Sequence, residues 1–292
     1  MKLAAIDIGS NAIRFQVTHV MSYEGQHYFK KLEYVRFPLR LGKDVFRTKK
    51  IEESSESKFI QLMEAFKILI DLYEVDAYYA CATSAMRESH NGRAICEKVK
   101  DKLGLEIDII SGEKEAELIS QVVLEKLNRG AFLHIDVGGG STELNLILDG
   151  QTQEAASFAM GSVRGKINSG TSNETEKMEQ WIQQAKNKIK RSIIAVGTGG
   201  NINKLYELSQ LKSKSRMLKI TELTAVQQYL RELTLEERIF KLHLNPDRAD
   251  VILPASDIYL TAMQAAECQK IFVPDVGLKD GIMQMLFARH LS

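Results

Sequence analysis

Two carboxylates flank three consecutive glycines in the stretch FLHIDVGGGSTELNLIL, residues 132–148. A glycine turn lets a ligand approach the backbone closely, and its successive N–H groups can form an anion-binding concavity. The acids Asp136 and Glu143 would repel a phosphate there unless a hard cation lay between them. The spacing therefore predicts a phosphate-binding turn with Mg²⁺ held by Asp136 and Glu143. The alternative is a tight hairpin with exposed polar flanks and no ligand.

The residues on both sides of the glycines alternate between apolar and polar, which is typical of half-buried strands. The apolar members are Leu133, Ile135 and Val137 before the turn, and Leu144, Leu146 and Leu148 after it. The pattern predicts strand, turn, strand, with a turn made of Gly138, Gly139, Gly140 and Ser141. This excludes the dinucleotide and Walker motifs, because both of those loops lead into a helix.

The same device occurs near the start of the chain, in LAAIDIGSNAIRFQV, residues 3–17. The segment 6–9 (IDIG) corresponds to the segment 135–138 (IDVG), and alternating strand patterns flank both. A repeat of this kind predicts two similar α/β halves, each contributing one turn to a shared cleft. The first turn consists of Gly9, Ser10 and Asn11.

Two more acids begin a predicted helix in ISGEKEAEL, residues 110–118, where Ser111 is a candidate N-cap. Glu113 and Glu115 both fall in the first helical turn. Acids in that position favour the helix dipole, which is one explanation for them. The other is that one of them orients and deprotonates an attacking water. Periodicity does not decide which of the two it would be.

Two arginines follow predicted strands and are candidates to clamp phosphate. Arg87 follows the strand that ends near Ala82, and Arg164 lies beside glycines in MGSVRG. A guanidinium can bind phosphate with two parallel hydrogen bonds. Position alone equally allows both arginines to be solvated side chains.

A second glycine-rich turn, in VGTGGNINKL, residues 196–205, lies between a predicted strand and a predicted helix. Such a turn attracts an anion or a nucleotide, or it simply starts a helix. The candidate contacts are Gly197, Thr198, Gly199 and Gly200. His134 shares the Asp136 side of its strand, and we interpret it as a packed or hydrogen-bonded histidine.

The composition of the 292 residues is that of a globular protein, and the net charge of +1 gives no overall attraction to nucleic acid or to a membrane surface. Three cysteines without metal-ligand spacing suit free thiols in a reducing compartment. No signal peptide and no run of 18 apolar residues is present, so we expect a cytoplasmic protein. The assembly state stays open, with a homodimer as one alternative.

Helical and strand periodicities alternate along the chain, which predicts an α/β fold in two domains. In the first half the pattern predicts helices near 52–73, 91–103 and 112–128 and strands near 75–82 and 105–110; in the second half it predicts strands near 131–137, 143–149, 152–159, 192–196 and 271–273 and a last helix near 278–290. The helix-stop residues Asn128 and Gly130 predict domains 1–128 and 129–292, with the last helix a candidate to pack back on the first.

Taken together, the motifs resemble the Ppx/GppA family of exopolyphosphatases and guanosine pentaphosphate phosphohydrolases. The matching segments occur in the family's order over nearly the whole chain: AIDIGSNAIR, ATSAMRE, IISGEKEAEL, IDVGGGSTEL, MGSVR, VGTGG, NPDRADVILPA and DVGLKDG. The chain resembles the short members, which lack a C-terminal HD-type domain.

The resemblance implies an actin-like ATPase fold of two ribonuclease-H-like domains around an interdomain cleft. It also implies roles for individual residues. The metal-binding and catalytic acids fall on Asp136 and Glu143, the water-activating glutamate on Glu115, and the phosphate-binding arginine on Arg87.

This chain departs from the family pattern at a few positions. Glu117 stands where arginine is common, and Lys114 replaces the first acid of the EEA segment. Pro274 replaces a usual serine, and Lys279 with Asp280 replaces Arg-Glu. A glutamate in place of a cleft arginine weakens the grip on a long polyphosphate and leaves the metal and water machinery untouched.

The resulting hypothesis is a Mg²⁺-dependent phosphohydrolase that removes the terminal phosphate of inorganic polyphosphate by attack of a water. The alternatives are a guanosine pentaphosphate phosphohydrolase, a kinase of the same superfold, and a non-catalytic sensor of polyphosphate or of the guanosine alarmone.

Overall fold

The computed structural model describes residues 1–127, 129–167, 172–189, 191–210 and 215–291. Contacts divide the chain into two compact units, which are described separately: residues 1–119 with 278–292, and residues 120–277. This division falls inside a helix, just after Ile119. The boundary predicted between residues 128 and 129 stays a prediction, and Asn128 lies outside the described residues.

The elements alternate between strands and helices, as the sequence predicts. Those up to the division are β1 Lys2–Ile8, β2 Ile13–Tyr23, β3 Gln26–Phe37, α1 Leu41–Thr48, α2 Glu53–Leu72, β4 Ala77–Ala82, α3 Ser84–Glu88, α4 Gly92–Leu103, β5 Asp108–Ile109 and α5 Gly112–Leu124. Those after it are β6 Ala131–Val137, β7 Thr142–Leu148, β8 Gln151–Phe158, α6 Arg164–Ile167, α7 Ser172–Asn187, β9 Ile193–Thr198, α8 Gly200–Leu208, β10 Met217–Lys219, α9 Ile220–Glu232, α10 Leu235–Phe240, α11 Pro246–Ala249, α12 Ile252–Ala265, β11 Lys270–Phe272 and α13 Leu278–Leu291.

The first unit is built on a sheet with the strand order β3-β2-β1-β4-β5. Strands β1, β2 and β3 form an antiparallel meander, whereas β4 and β5 run parallel to β1. The rings of Phe15 and Phe66 stack with their centres 4.8 Å apart and join α2 to this sheet. Helix α13 packs on β1, β2 and β4. It approaches α5 so closely that a Cβ on Gly281 would lie 2.1 Å from the carbonyl oxygen of Leu118.

The second unit repeats this arrangement with one added edge strand. Its sheet has the order β10-β11-β9-β6-β7-β8, in which β6, β7 and β8 form the antiparallel meander and β9 and β11 run parallel to β6. The buried side chains of α12, including the fully buried Tyr259, join the core of this unit. The two predicted strand, turn, strand devices are the hairpins β1-β2 and β6-β7.

Strand β6 is more deeply buried than its alternating pattern predicts. All seven of its residues are buried, including the polar His134 and Asp136. The reason is its central place in the sheet, where both faces are covered. Among the described residues, no helix combines the length and the apolar character needed to cross a bilayer.

Candidate active site

In the first unit, three segments follow the carboxyl ends of the adjacent parallel strands β1, β4 and β5. They are the turn after Ile8, helix α3 after Ala82, and the start of α5 after Ile109. Ligands of open α/β sheets bind at this edge. The predicted residues Gly9, Ser10, Asn11, Arg87 and Glu115 therefore all belong to one edge of one sheet.

The first turn is anchored on its neighbours through Ser10 and Asn11. The Ser10 hydroxyl lies 2.8 Å from the Ser84 hydroxyl and accepts a hydrogen bond from the Ala85 amide (3.1 Å). The carbonyls of Ser10 and Asn11 accept from the amides of Gly42 and Arg40, and the Gly9 amide donates across the turn to Ala12. These contacts fix the turn where the sequence predicts it.

The start of α5 separates the two candidate glutamates. Ser111 is the N-cap, as predicted, since its hydroxyl accepts from the Lys114 amide (3.1 Å). Glu115 is buried, whereas Glu113 is exposed. Residues two positions apart on a helix are separated by about 200° around its axis, so the side chains of Glu113 and Glu115 point to opposite sides of α5. Burial therefore favours Glu115 over its neighbour for a role beyond the helix dipole.

Other charged groups of the first unit support this edge. Arg87 donates from one guanidinium nitrogen to the carbonyl of Ile110 (2.7 Å), which fixes it beside the start of α5. Lys114 and Glu117, the two departures from the family pattern, form an ion pair with each other at 2.9 Å. Burial, followed by the negative charges of Asp7 and Glu115, raises the pKa of Cys81 well above its usual value.

In the second unit, the glycine turn is held through its carbonyl groups. The carbonyl of Gly138 accepts from the Ser162 amide and that of Gly139 from the amides of Val163 and Arg164. The Gly140 carbonyl accepts from Nε of Arg164 at 2.7 Å. These acceptors face the protein's own donors, and so they do not face an anionic ligand. Arg164, predicted to touch substrate, is buried and braces the turn.

Close packing explains why glycine is needed around this turn. A Cβ on Gly161 would lie 2.6 Å from backbone atoms of both Gly139 and Gly140. The segment that follows β8 therefore rests directly on the glycine turn. The turn closes through a hydrogen bond from the Gly138 amide to the Ser141 carbonyl (2.9 Å).

Asp136 and Glu143 are directly opposite each other on β6 and β7. One carboxylate oxygen of each lies within 4.8 Å of the other, and Glu143 is fully buried. Asp136 accepts from Thr198 Oγ1 (2.8 Å), and Glu143 accepts from Ser157 Oγ (3.0 Å). Two buried like charges at this distance favour a bound cation, and carboxylate oxygens are the ligands that Mg²⁺ prefers.

The corresponding pair in the first unit is different. Asp7 on β1 is opposite Arg14 on β2, and the two form an ion pair at 2.7 Å. Asp7 is as buried as Asp136, but its charge is neutralised by a side chain of the same hairpin. The two hairpins therefore share a geometry and differ in charge, and only the second pairs an acid with an acid.

The second predicted glycine turn has the expected strand, turn, helix arrangement. Gly199 has a φ of 99°, which favours glycine, and a Cβ on it would lie 3.0 Å from Oδ1 of Asp136. Gly197 packs against Ile271, and the carbonyl of Gly200 accepts from Arg248 (2.7 Å). Within this group, the side chain of Thr198 donates a hydrogen bond to the predicted catalytic residue Asp136.

Three buried residues join this site that the sequence did not assign to it. His134 lies 2.8 Å from Thr198 Oγ1, and burial lowers the pKa of His134 to about 3, so its ring is neutral. Asn145 donates to the same ring. Tyr259 donates to the Thr198 carbonyl (2.5 Å), and its pKa is raised well above the usual value by burial and then by the charge of Asp136. Only His134 gave a signal in the sequence, as a polar residue inside a buried strand.

Comparison with protein families gives a match to the model of the Ppx/GppA phosphatase family over residues 20–290. The chain is 32% identical over 167 residues to a bifunctional 3-dehydroquinate synthase/phosphatase of Fusobacterium nucleatum, and the aligned region covers 55% of this chain and 25% of that protein. It is 28% identical to exopolyphosphatase 1 of Mycobacterium tuberculosis over 56% of this chain and 47% of that protein. It is 21% identical to a guanosine-5'-triphosphate,3'-diphosphate pyrophosphatase of Photobacterium profundum, over 98% of this chain and 59% of that protein. The chain thus spans less than two thirds of the length of these relatives.

A solved structure of the Ppx/GppA member from Aquifex aeolicus resembles the whole chain, with a TM-score of 0.78, 25% identity and coverage of 100% of this chain and 99% of that one. The predicted α/β fold class is confirmed by these comparisons, since the chain shares its fold with a solved member of the Ppx/GppA family.

Proposed function

Because the chain belongs to the Ppx/GppA phosphatase family, we propose that it is a Mg²⁺-dependent exopolyphosphatase that hydrolyses the terminal phosphoanhydride bond of inorganic polyphosphate. The observation that carries this proposal is the buried pair of Asp136 and Glu143 at the mouth of a glycine turn. Two carboxylates in a phosphate-binding hairpin would repel an anionic substrate unless a cation were bound between them. The ion-paired Asp7 and Arg14 of the first hairpin show how the same fold neutralises an acid when no cation is needed.

The donor set fits Mg²⁺. Both candidate ligands are hard carboxylate oxygens, and each carboxylate is oriented by a hydroxyl, from Thr198 or from Ser157. Ligating carboxylates are commonly oriented in this way by hydrogen-bonding partners. When bound, Mg²⁺ would neutralise charge that develops on the transferred phosphoryl group.

The chain's own residues supply positioning and proton transfer. We assign phosphate binding to the two turns, Gly9–Asn11 and Gly138–Ser141, and to Arg87. In the second turn the acceptor carbonyls are directed to the segment 162–164, which removes their repulsion from the phosphate. Arg87 retains further guanidinium donors beyond the one that binds Ile110. We assign Glu115 as the general base that orients the water and accepts its proton, on the resemblance and on its burial.

Polyphosphate is the preferred substrate in this proposal because the part of the chain that matches an exopolyphosphatase is 28% identical to it over 56% of this chain, whereas the match to the pyrophosphatase relative is 21% identical over 98% of this chain. The second candidate is guanosine pentaphosphate, hydrolysed at its 5' end. It is favoured by the match over nearly the whole chain and by the glycine turn at Gly199 and Gly200, which begins helix α8 and suits a nucleotide.

Phosphate release from long-chain polyphosphate and from guanosine pentaphosphate, each with Mg²⁺ and with EDTA, tests the proposal. We expect release from polyphosphate that EDTA abolishes and that Glu143→Gln abolishes even in excess Mg²⁺. Faster release from guanosine pentaphosphate would establish the second candidate. Binding of either compound without release would identify a sensor, and phosphate transfer only to an added acceptor would identify a kinase.

A further inference from the structure

A line of buried side chains crosses three adjacent strands of the second unit and ends on Asp136. Asn145 on β7 donates from Nδ2 to Nδ1 of His134 on β6 (3.0 Å). Nε2 of His134 lies 2.8 Å from Oγ1 of Thr198 on β9, and this hydroxyl donates to Oδ1 of Asp136 (2.8 Å). We call these three residues, Asn145, His134 and Thr198, the relay.

The chemistry of the groups fixes the direction of the relay. An amide nitrogen donates only, so Nδ1 of His134 must accept. The neutral ring then carries its proton on Nε2 and donates to the Thr198 hydroxyl. A hydroxyl has one proton, and Thr198 gives it to the carboxylate, which accepts only. Every hydrogen bond in the relay therefore points toward Asp136.

The backbone keeps the relay in register. Strand pairing places His134 opposite Asn145, and Asp136 opposite Thr198. The Tyr259 hydroxyl donates to the Thr198 carbonyl and accepts from the Val137 amide (3.3 Å). These two hydrogen bonds connect the ends of β9 and β6 next to Asp136. Each relay member is almost fully buried, and His134 and Thr198 are completely buried.

Complete burial of an imidazole at the centre of a strand costs free energy because the ring loses its hydration, whereas an apolar side chain would pack there without that loss. We propose that His134, acting through Thr198, is a positioning residue that fixes the rotation of the Asp136 carboxylate for metal binding. The inference rests on the proposed metal site at Asp136 and Glu143. Removing a partner that orients a ligating group typically weakens metal affinity by about 10- to 100-fold.

Mn²⁺ binding to the purified full-length protein, followed by electron paramagnetic resonance, tests the relay. Thr198→Val removes the hydroxyl and keeps the shape, whereas Thr198→Ser keeps the hydroxyl. We expect the dissociation constant for Mn²⁺ to rise about 10- to 100-fold in Thr198→Val and in His134→Leu, and less than about threefold in Thr198→Ser. Because both residues act in one relay, the double variant Thr198→Val with His134→Leu should bind Mn²⁺ no more weakly than whichever single variant has the lower Mn²⁺ affinity.

Gln227→Leu is the matched control, since Gln227 is a buried polar residue of the same unit that binds Ser256 and Asp257. It should lower the melting temperature in EDTA without changing Mn²⁺ affinity. If the wild-type protein binds Mn²⁺ and the relay variants bind it equally well, the relay inference is wrong and the metal site stands. If Thr198→Ser loses as much affinity as Thr198→Val, the hydroxyl is not the active group and the inference is also wrong. If the wild-type protein binds no Mn²⁺, the proposed metal site fails and the relay falls with it.

Discussion

Replacing Glu143 by glutamine should stabilise the metal-free protein while it destroys the proposed metal site. The reason is the mutual repulsion of Glu143 and Asp136, whose nearest ligand oxygens lie within 4.8 Å in a buried hairpin. The amide of Glu143→Gln is isosteric and carries no charge. Its oxygen still accepts from Ser157, and its new N–H groups are donors for the neighbouring carboxylate.

The size of this effect follows from the distance. Two unit charges 4.8 Å apart repel by about 3.5 kcal/mol at an effective dielectric constant near 20. The hydrogen bonds from Thr198 and Ser157 already offset part of this repulsion. We therefore expect a gain of about 1 to 3 kcal/mol in the free energy of unfolding in EDTA, which corresponds to roughly 2 to 12 °C for a unit of this size.

Thermal unfolding in EDTA and in excess Mg²⁺ measures both parts of the prediction. The wild-type protein should gain stability from Mg²⁺, by about 2.7 kcal/mol at a concentration 100 times its dissociation constant. Glu143→Gln should begin higher in EDTA and gain almost nothing from Mg²⁺. Asp7→Asn is the matched control, because it breaks the ion pair with Arg14 and should lower the melting temperature in both conditions. A lower melting temperature for Glu143→Gln in EDTA would refute the repulsion and return this hairpin to a structural role.

Three further predictions follow from the geometry. Glu115→Gln should still bind substrate but hydrolyse it at least about a hundredfold more slowly in single-turnover assays. The control Glu113→Gln, at an exposed position, should match the wild-type rate. Equal, small effects in both variants would show that Glu115 is not the general base. Gly161→Ala should cost about 1 to 3 kcal/mol in denaturant unfolding because its Cβ meets the backbone of the glycine turn, whereas Gly165→Ala, with open space around it, should cost nothing. Burial raises the pKa of Cys268 to about 12, so the folded state favours the neutral thiol. This contribution to stability is lost as the pH rises above about 9. A thiol reagent at pH 8 should therefore react with Cys268 only as fast as the protein unfolds.

Much of the fold could be predicted because its central elements carry strong periodic signals. Strand β6 has the bounds that the alternation predicts, and helix α2 differs from its prediction by one residue at each end. Strand β3 gave no such signal, because it is an edge strand whose twelve residues are mostly exposed and mix aromatic with charged side chains. Helix α5 ends at Leu124 instead of near residue 128, which shows that a helix end without a glycine or proline is poorly marked in a sequence.

The candidate site was predictable in its motifs and not in its supporting contacts. The glycines and acids lie close together along the chain, so their spacing describes one turn. The roles of Asn145 and Tyr259 depend on contacts with residues 11 and 61 positions away. No local pattern contains that information. The choice between Glu113 and Glu115 was open for a related reason, since a helix turn offers both and only the packing around α5 decides which one is buried.

The comparison of the two hairpins supports placing the proposed metal site in the second one. In both hairpins, four residues separate the paired strands, 9–12 in the first and 138–141 in the second. Each aspartate is therefore the cross-strand partner of the residue seven positions later, which is Arg14 for Asp7 and Glu143 for Asp136. The first pair is complete, because the guanidinium neutralises the carboxylate at 2.7 Å. The second pair carries two negative charges in the corresponding cross-strand positions, and a bound cation would balance them. A single residue type at one position thus separates a structural ion pair from a candidate metal site. The reciprocal test is Glu143→Arg, which should build the ion pair of the first hairpin into the second and remove the stability gained from Mg²⁺; a variant that still gains stability from Mg²⁺ would show that Asp136 and Glu143 are not the ligands.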